Sequence, residues 1–191
     1  LASRKHKATE QAFADAYRPP LTTSRSDFLK TGRDDAFRET IYLLVRSLDR
    51  LLACREAFGR AIGLTASQFA VLIGTAYRQG ARGVTIRDLA EHVSLASTHV
   101  TTEVGRLARK GLLEKVPNAA DGRSVLVSLT PKGREAVEAV APLVREVNDV
   151  LFAGIASSDL DILQQTARRL LVNSEEAALI IRRRTRSGHS D

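Results

Sequence analysis

A chain of 191 residues is long enough to bury a proper core, as one domain or as one domain with long helical extensions. Aromatic residues make up 5% of it and Trp is absent, which argues against the stacking platforms that grip single-stranded nucleic acid; no apolar run approaches the roughly 20 residues of a spanning helix and no signal peptide opens the sequence, so a cytoplasmic protein without a membrane partner is expected. A formal net charge of +7 and a pI near 10.1 imply an anionic partner, and a single cysteine excludes an intramolecular disulfide or a cysteine metal cluster.

Residues 1–34 read as an N-terminal arm contributing to dimerisation. Arg4-Lys5-His6-Lys7 is a small basic cluster, Ala8 to Tyr17 is compatible with a helix that Pro19-Pro20 must stop, and Leu21 to Asp34 is polar and turn-rich. Phe13, Tyr17, Phe28 and Leu29 give this arm just enough apolar surface to pack. Residues 35–64 predict a long scaffold and dimerisation helix, in which Phe37, Ile41, Leu44, Leu48, Leu51, Phe58 and Ile62 recur at spacings dominated by three and four while Arg46, Arg50, Arg55 and Arg60 mark the other side. Cys54 lies within it; it reads either as a redox-reactive thiol or as a small buried apolar residue, and packing is preferred.

Residues 65–130 predict the second unit. Gly63 ends the long helix, and Thr65 with Gln68 forms a capping box for a helix from Ala66 to Arg78 whose inward side is Phe69, Leu72, Ile73 and Ala76. Tyr42, Arg46 and Tyr77 are candidates for a ligand crevice between the two helices, because a guanidinium and phenol hydroxyls hold a carboxylate or phenol; core tyrosines and a surface arginine fit the same residues. After a loop from Gly80 to Gly83, Thr85 and Asp88 form a Thr/Asp variant of the capping box for a short helix that buries Ile86, Leu89, Ala90 and Val93.

A break at Ser94 and Leu95 leads to a helix from Ser97 to Lys110 with one apolar stripe, Val100, Val104 and Leu107. Its free side carries Ser97, Thr98, Thr101, Thr102 and Gly105, flanked by His99, Arg106 and Arg109. Solvated helix faces are usually rich in Glu and Lys, whereas short hydroxyls beside cations suit a helix that enters the major groove. Gly111 closes that helix. Leu112 to Val116, including Lys115, and Ser124 to Leu129 then read as two strands of a hairpin whose tip, Pro117 to Arg123, is rich in turn formers. In the tip, Gly122 is expected to take a positive φ, Asp121 to bond backbone amides or the guanidinium, and Arg123 to project toward a narrow minor groove.

Residues 131–191 read as C-terminal dimerisation helices and a basic tail. Thr130 caps a helix with Pro131 at its first position, carrying Val137, Val140, Val144, Val147, Leu151 and Ile155 and bent at Pro142. Ser158 with Asp161 is expected to cap a last helix, Asp159 to about Arg184, with Leu160, Leu163, Ala167, Leu170 and Leu171 facing inward, before Arg182-Arg183-Arg184-Thr185-Arg186. The expected fold is mainly α with a small β-hairpin wing: a winged helix-turn-helix with long flanking dimerisation helices. Those helices carry more apolar surface than one lobe covers, which predicts a homodimer.

The order of capped helix, Ser/Thr-rich helix, Lys110-Gly111-Leu112-Leu113, Asp121-x-Arg123 and Leu129-Thr130-Pro131-x-Gly133 resembles the MarR family of bacterial transcriptional regulators. The resemblance implies a dimeric DNA-binding protein on a pseudo-palindromic double-stranded operator, commonly a repressor released by a phenolic or aromatic carboxylate ligand. It maps Ser97 to Arg109 onto the recognition helix and Asp121 with Arg123 onto the wing tip; Val116 and Pro117 stand where many members carry a basic residue, which implies fewer phosphate contacts from this wing. An effector-independent architectural DNA-binding protein and a Cys54-based redox regulator are the alternatives. No cofactor, metal site or catalytic group is expected: the four histidines lack metal-ligand spacing, no phosphate loop or nucleophile elbow is present, and Thr98 and His99 point about 100° apart on a helix.

Overall fold

The structure, a computed structural model, describes residues 17–187. The helix expected from Ala8, the basic cluster at Arg4, Phe13, His6 and His189 lie outside the described residues.

The segment before the first long helix is pinned to that helix's start. Asp34 is fully buried, and its Oδ2 accepts from both the amide (2.6 Å) and the hydroxyl (2.7 Å) of Thr22, while Arg38 Nε stands 3.3 Å from Oδ1. Phe28, in a 3-10 turn spanning Ser26–Phe28, stacks on Phe37 with ring centroids 5.2 Å apart, and Arg25 covers the Phe28 ring at 4.1 Å. The bonds from Thr22 hold the Asp34 carboxyl below the usual range; those from Arg33 and Arg38 bring Asp35 to about 2.

Helix α1 (Asp35–Ala61) has 27 residues, yet only Phe58 and Gly59 near its end are buried. Its first two-thirds leave Ile41, Leu48 and Leu51 of the expected stripe exposed, together with Leu43, Val45 and Leu52. Gly63, at φ +68°, turns the chain by 87° into α2 (Ala66–Arg78). The capping box forms as expected: Gln68 N donates to Thr65 Oγ1 at 3.2 Å and Thr65 N donates to Gln68 Oε1 at 3.3 Å. Because α2 is apolar on most of its surface it becomes the middle of the lobe, with Val71 and Leu72 fully buried. Among the described residues no single helix is long and apolar enough to cross a membrane.

Around α2 pack β1 (Val84–Thr85), α3 (Ile86–Val93), α4 (Ser97–Arg109), β2 (Leu113–Pro117) and β3 (Val125–Leu129). The sheet is antiparallel with order β1-β3-β2; Val127 lies between Val84 on one side and Lys115 on the other. The sequence reading foresaw the hairpin and omitted β1, a strand of two residues whose partner lies about 40 positions downstream. The core is Val71, Leu72, Leu89, Val100, Val104, Leu107 and Val127, all without solvent exposure.

Helix α5 (Pro131–Leu151) starts on the expected cap, Gly133 N donating to Thr130 Oγ1 at 3.0 Å, and continues through Pro142; it ends before Ile155. Val140 packs with Phe58 and Phe69 in a second, smaller cluster that joins α1, α2 and α5. Helix α6 (Ser157–Ser187) departs from expectation twice. It starts two residues before Asp159, because the Asp159 carboxylate reaches back to the Ala156 amide (3.1 Å), so the Ser158 and Asp161 pair is not the cap. And Leu160, Leu163, Ala167, Leu170 and Leu171 do not face inward: each is exposed on the single chain. Periodicity reports an apolar stripe without saying which molecule covers it.

Candidate nucleic-acid interface

The helix-turn-helix is built by short-range bonds. Thr85 Oγ1 accepts from Asp88 N at 3.1 Å, starting α3; Asp88, one methylene shorter than Glu, bonds the Thr85 hydroxyl (2.8 Å) and not the cap amide that the expected box requires. The helix stops at Ser94, which takes a left-handed conformation at φ +55°, and Leu95 N returns to Ala90 O at 3.1 Å. This turn sets α4 across the lobe with Val100, Val104 and Leu107 inward.

The opposite side of α4 presents Ser97, Thr98, His99, Thr101, Thr102, Arg106 and Arg109, all exposed. Thr101 and Thr102 donate to the carbonyls of Ser97 (2.8 Å) and Thr98 (3.0 Å), one turn back, which parks their hydroxyls along the helix. Gly105 is half-buried with open space where a Cβ would stand, so nothing but solvent or a ligand occupies that notch. Gly111, at φ +73°, ends the helix and starts β2.

In the wing, Lys115 is exposed on β2, as are Val116 and Pro117 beside it. The tip closes with Asn118 N on Ser124 O (3.1 Å) and Ser124 N on Asp121 O (3.0 Å). Asp121 Oδ1 accepts from Arg123 N at 3.1 Å, the backbone option of the two expected for it, and Arg123 is exposed. Gly122 does not take a positive φ. A seven-residue tip folded by four-residue turns and Asx bonds has no need of the left-handed residue that a two-residue hairpin loop demands.

One residue of this helix escaped the sequence reading. Glu103 is buried; its Oε1 accepts from Arg106 Nη1 at 2.6 Å, with His99 Nε2 3.5 Å away, and its Oε2 is buried without a hydrogen-bond partner. The signal was present: the stripe Val100, Val104, Leu107 leaves its i+3 position to a carboxylate.

The residues suggested for a ligand crevice are not brought together. Tyr77 lines a cavity of about 620 Å³ between α1, α2 and α5, with Arg55, Phe58, Phe69, Ile73, Val140, Arg145 and Asp149 among its walls. Tyr42 and Arg46 do not line it. They precede Arg55 by 13 and 9 residues, about 20 and 14 Å along the helix, and both are exposed. Arg55, which the sequence reading assigned only to a helix face, has a buried Nε without a hydrogen-bond partner. Cys54 is half-buried against the Phe58, Phe69 and Val140 cluster.

Comparison with known proteins agrees with this geometry. Residues 64–133 match the winged helix DNA-binding domain family. The chain is 32% identical over 139 residues to the transcriptional activatory protein BadR of Rhodopseudomonas palustris, covering 69% of this chain and 79% of that protein. It is 36% identical over 93 residues to the multiple antibiotic resistance protein MarR of Salmonella typhimurium, covering 49% of this chain and 60% of that one. Among solved structures it is similar to Bordetella bronchiseptica BpsR, whose DNA binding is regulated by 6-hydroxynicotinic acid, with a TM-score of 0.56, 28% identity, and coverage of 69% of this chain and 98% of that chain. The chain belongs to the MarR family of winged helix-turn-helix regulators, and is a DNA-binding transcriptional regulator, not an enzyme.

Proposed function

We propose that the protein acts as a homodimer on a pseudo-palindromic duplex, with the Ser97 to Arg106 side of α4 in the major groove and Arg123 of each wing at a minor groove. The observation that carries this reading is the exposed side of α4: hydroxyls, His99, Arg106 and Arg109, with its one carboxylate, Glu103, turned into the protein. Such a face admits the backbone close to base edges and repels no phosphate. Lys115 and the Asp121-braced Arg123 extend the cationic surface along the wing. The unpartnered stripes of α1 and α6 support the dimer, since exposed apolar faces of this length need a second surface.

In this reading the protein represses by occupying its operator and is released by a small aromatic carboxylate or phenol. The cavity beside Tyr77 supports the ligand class: Phe58 and Phe69 offer a ring an apolar wall, Arg55 and Arg145 offer a carboxylate its counter-charge, and Asp149 accepts from a phenol hydroxyl. That BpsR responds to an aromatic acid supports it further. Activation is the second reading, favoured by the relative BadR being a transcriptional activatory protein.

The test is selection of duplexes from fragmented source genome by the purified protein, followed by titration against scrambled DNA with and without a panel of hydroxybenzoates and 6-hydroxynicotinic acid. Enrichment of one inverted repeat, preferred by roughly three orders of magnitude or more over random DNA, and weakened by one of those acids, is the expected result. Uniform recovery with a steep salt dependence would establish an architectural protein instead. A reporter behind the selected duplex separates repression from activation.

A further inference from the structure

Glu103 is expensive for the fold to keep. Its side chain is 4% exposed, while Arg106, the cation that pairs with it, is 51% exposed, so the buried carboxylate is matched by a charge that water screens; the His99 ring beside it is 46% exposed. Its Oε2 has no partner at all. Stability does not explain a charge held this way; removing it for an apolar residue of similar volume is commonly neutral or favourable.

Position does explain it. Glu103 lies on α4 one turn after His99 and one turn before Arg106, and with Thr98 and Thr102 these three line a recess of about 360 Å³ on the exposed side of that helix. The 2.6 Å bond engages Arg106 through Nη1. The guanidinium's Nε and Nη2 then remain for a second planar partner, and the pair of acceptors that suits such a fork in the major groove is O6 and N7 of guanine.

Building on the groove reading of α4, we propose that Glu103 is a positioning residue for base recognition: from beneath the recognition helix it fixes the Arg106 guanidinium for bidentate contact with a guanine in each half-site, with His99 braced on its other side. A free arginine at this place would pair with phosphate or base alike; one held at Nη1 has a single orientation to offer. Glu103 thereby converts a cation that any DNA attracts into one that prefers a particular base pair.

The experiment uses the full chain as wild type, Arg106→Ala, Glu103→Met and Glu103→Gln. A randomised duplex pool is selected with the wild type, and each base pair of the winning half-site is then substituted in turn and ranked by competition binding. Arg106→Ala should lose the preference for guanine at one position by about tenfold or more. Glu103→Met should lose it at that same position and to a similar degree, while its affinity for random duplex is unchanged or higher and its Tm is unchanged or higher. If Glu103→Met keeps the preference, loses it at another base pair, or weakens selected and random DNA equally, the positioning role is wrong. Should Glu103→Met fail to fold, Glu103→Gln decides: it retains shape but not charge, and must reduce the same preference by at least about threefold. If Arg106→Ala leaves every preference intact, the groove assignment of Arg106 has failed; if Arg106→Ala loses it and the Glu103 variants do not, only the positioning role has.

Discussion

Removing Leu163 and Leu170 together, each to Ala, should weaken the proposed dimer while leaving the winged lobe folded. Leu160, Leu163, Ala167 and Leu170 fall at alternating three- and four-residue spacing on α6, the pattern of a seam between helices. Leu163 and Leu170 are 48% and 52% exposed on one chain, so about half of each side chain remains to be covered by a partner. Full burial of a leucine is worth roughly 1.5–3 kcal/mol, half of that applies at each site, and a two-fold pair contains four such side chains, which gives about 3–6 kcal/mol. Ala keeps the Cβ, so the lower end applies, and a dimer dissociation constant raised on the order of a hundredfold is expected. Sedimentation equilibrium across a concentration series measures it. The core around Leu72 and Leu107 does not include α6, so far-UV CD should stay close to wild type at concentrations where both proteins are fully dimeric. An unchanged dissociation constant would show that this stripe is not the seam, and the dimer assigned to it would have to be withdrawn.

Arg123→Ala should weaken binding to a selected operator by about tenfold while leaving Tm within a degree or two, since only the backbone of Arg123 is used by the tip, through Asp121; loss of folding would make the side chain structural. Cys54→Ser should leave any peroxide response unchanged, because the thiol sits half-buried against Phe58 and Phe69; abolition of that response would restore the redox reading. The clasp of residues 22–38 should be pH-dependent in one direction. Its carboxyls titrate below their ordinary values in the folded chain, so the clasp is fully formed above about pH 4 and is lost as pH falls toward the value of about 2 reached by Asp35. An NMR titration of the Thr22 amide with a midpoint at or above pH 4 would contradict this.

Local signals were legible to within a residue or two. Thr65 with Gln68 and Thr130 with Pro131 mark helix starts, and Gly63 and Gly111 mark ends, because capping is decided by groups a few positions apart. What depends on distant partners was not. β1 is two residues long and exists because β3 lies beside it, and the crevice residues were chosen by chemistry alone, so Tyr42 was placed near Tyr77 although some 20 Å of helix separates it from the cavity wall. Glu103 was missed for another reason. It occupies a core position of an otherwise apolar stripe, and a search of the free side for base-reading groups does not look beneath the helix.

The motif Thr130-Pro131-x-Gly133 shows the same division between what a pattern marks and what it is for. Thr and Pro are explained by the cap, but Gly133 is in the helix at an ordinary φ, where Ala would be favoured by about 1 kcal/mol on propensity alone. Space supplies the reason. A Cβ on Gly133 would overlap the carbonyl oxygen of Leu112, and that oxygen is fixed by the amide of Thr130 at 3.1 Å. Thr130 Oγ1 also donates to Gly111 O at 2.6 Å and Lys132 Nζ to Lys110 O at 3.0 Å, so the first turn of α5 is seated on the end of α4. Because the obstacle is backbone, overpacking should sit at the upper end of its usual range of about 1–3 kcal/mol, and Gly133→Ala should be destabilising by roughly 1–2 kcal/mol after the propensity gain. Urea unfolding measures this as a lower midpoint at unchanged slope. A higher midpoint would mean the joint yields without cost. If it does not yield, the substitution moves α4 relative to α5, and operator affinity should fall even though Gly133 lies outside the side of α4 proposed to face DNA.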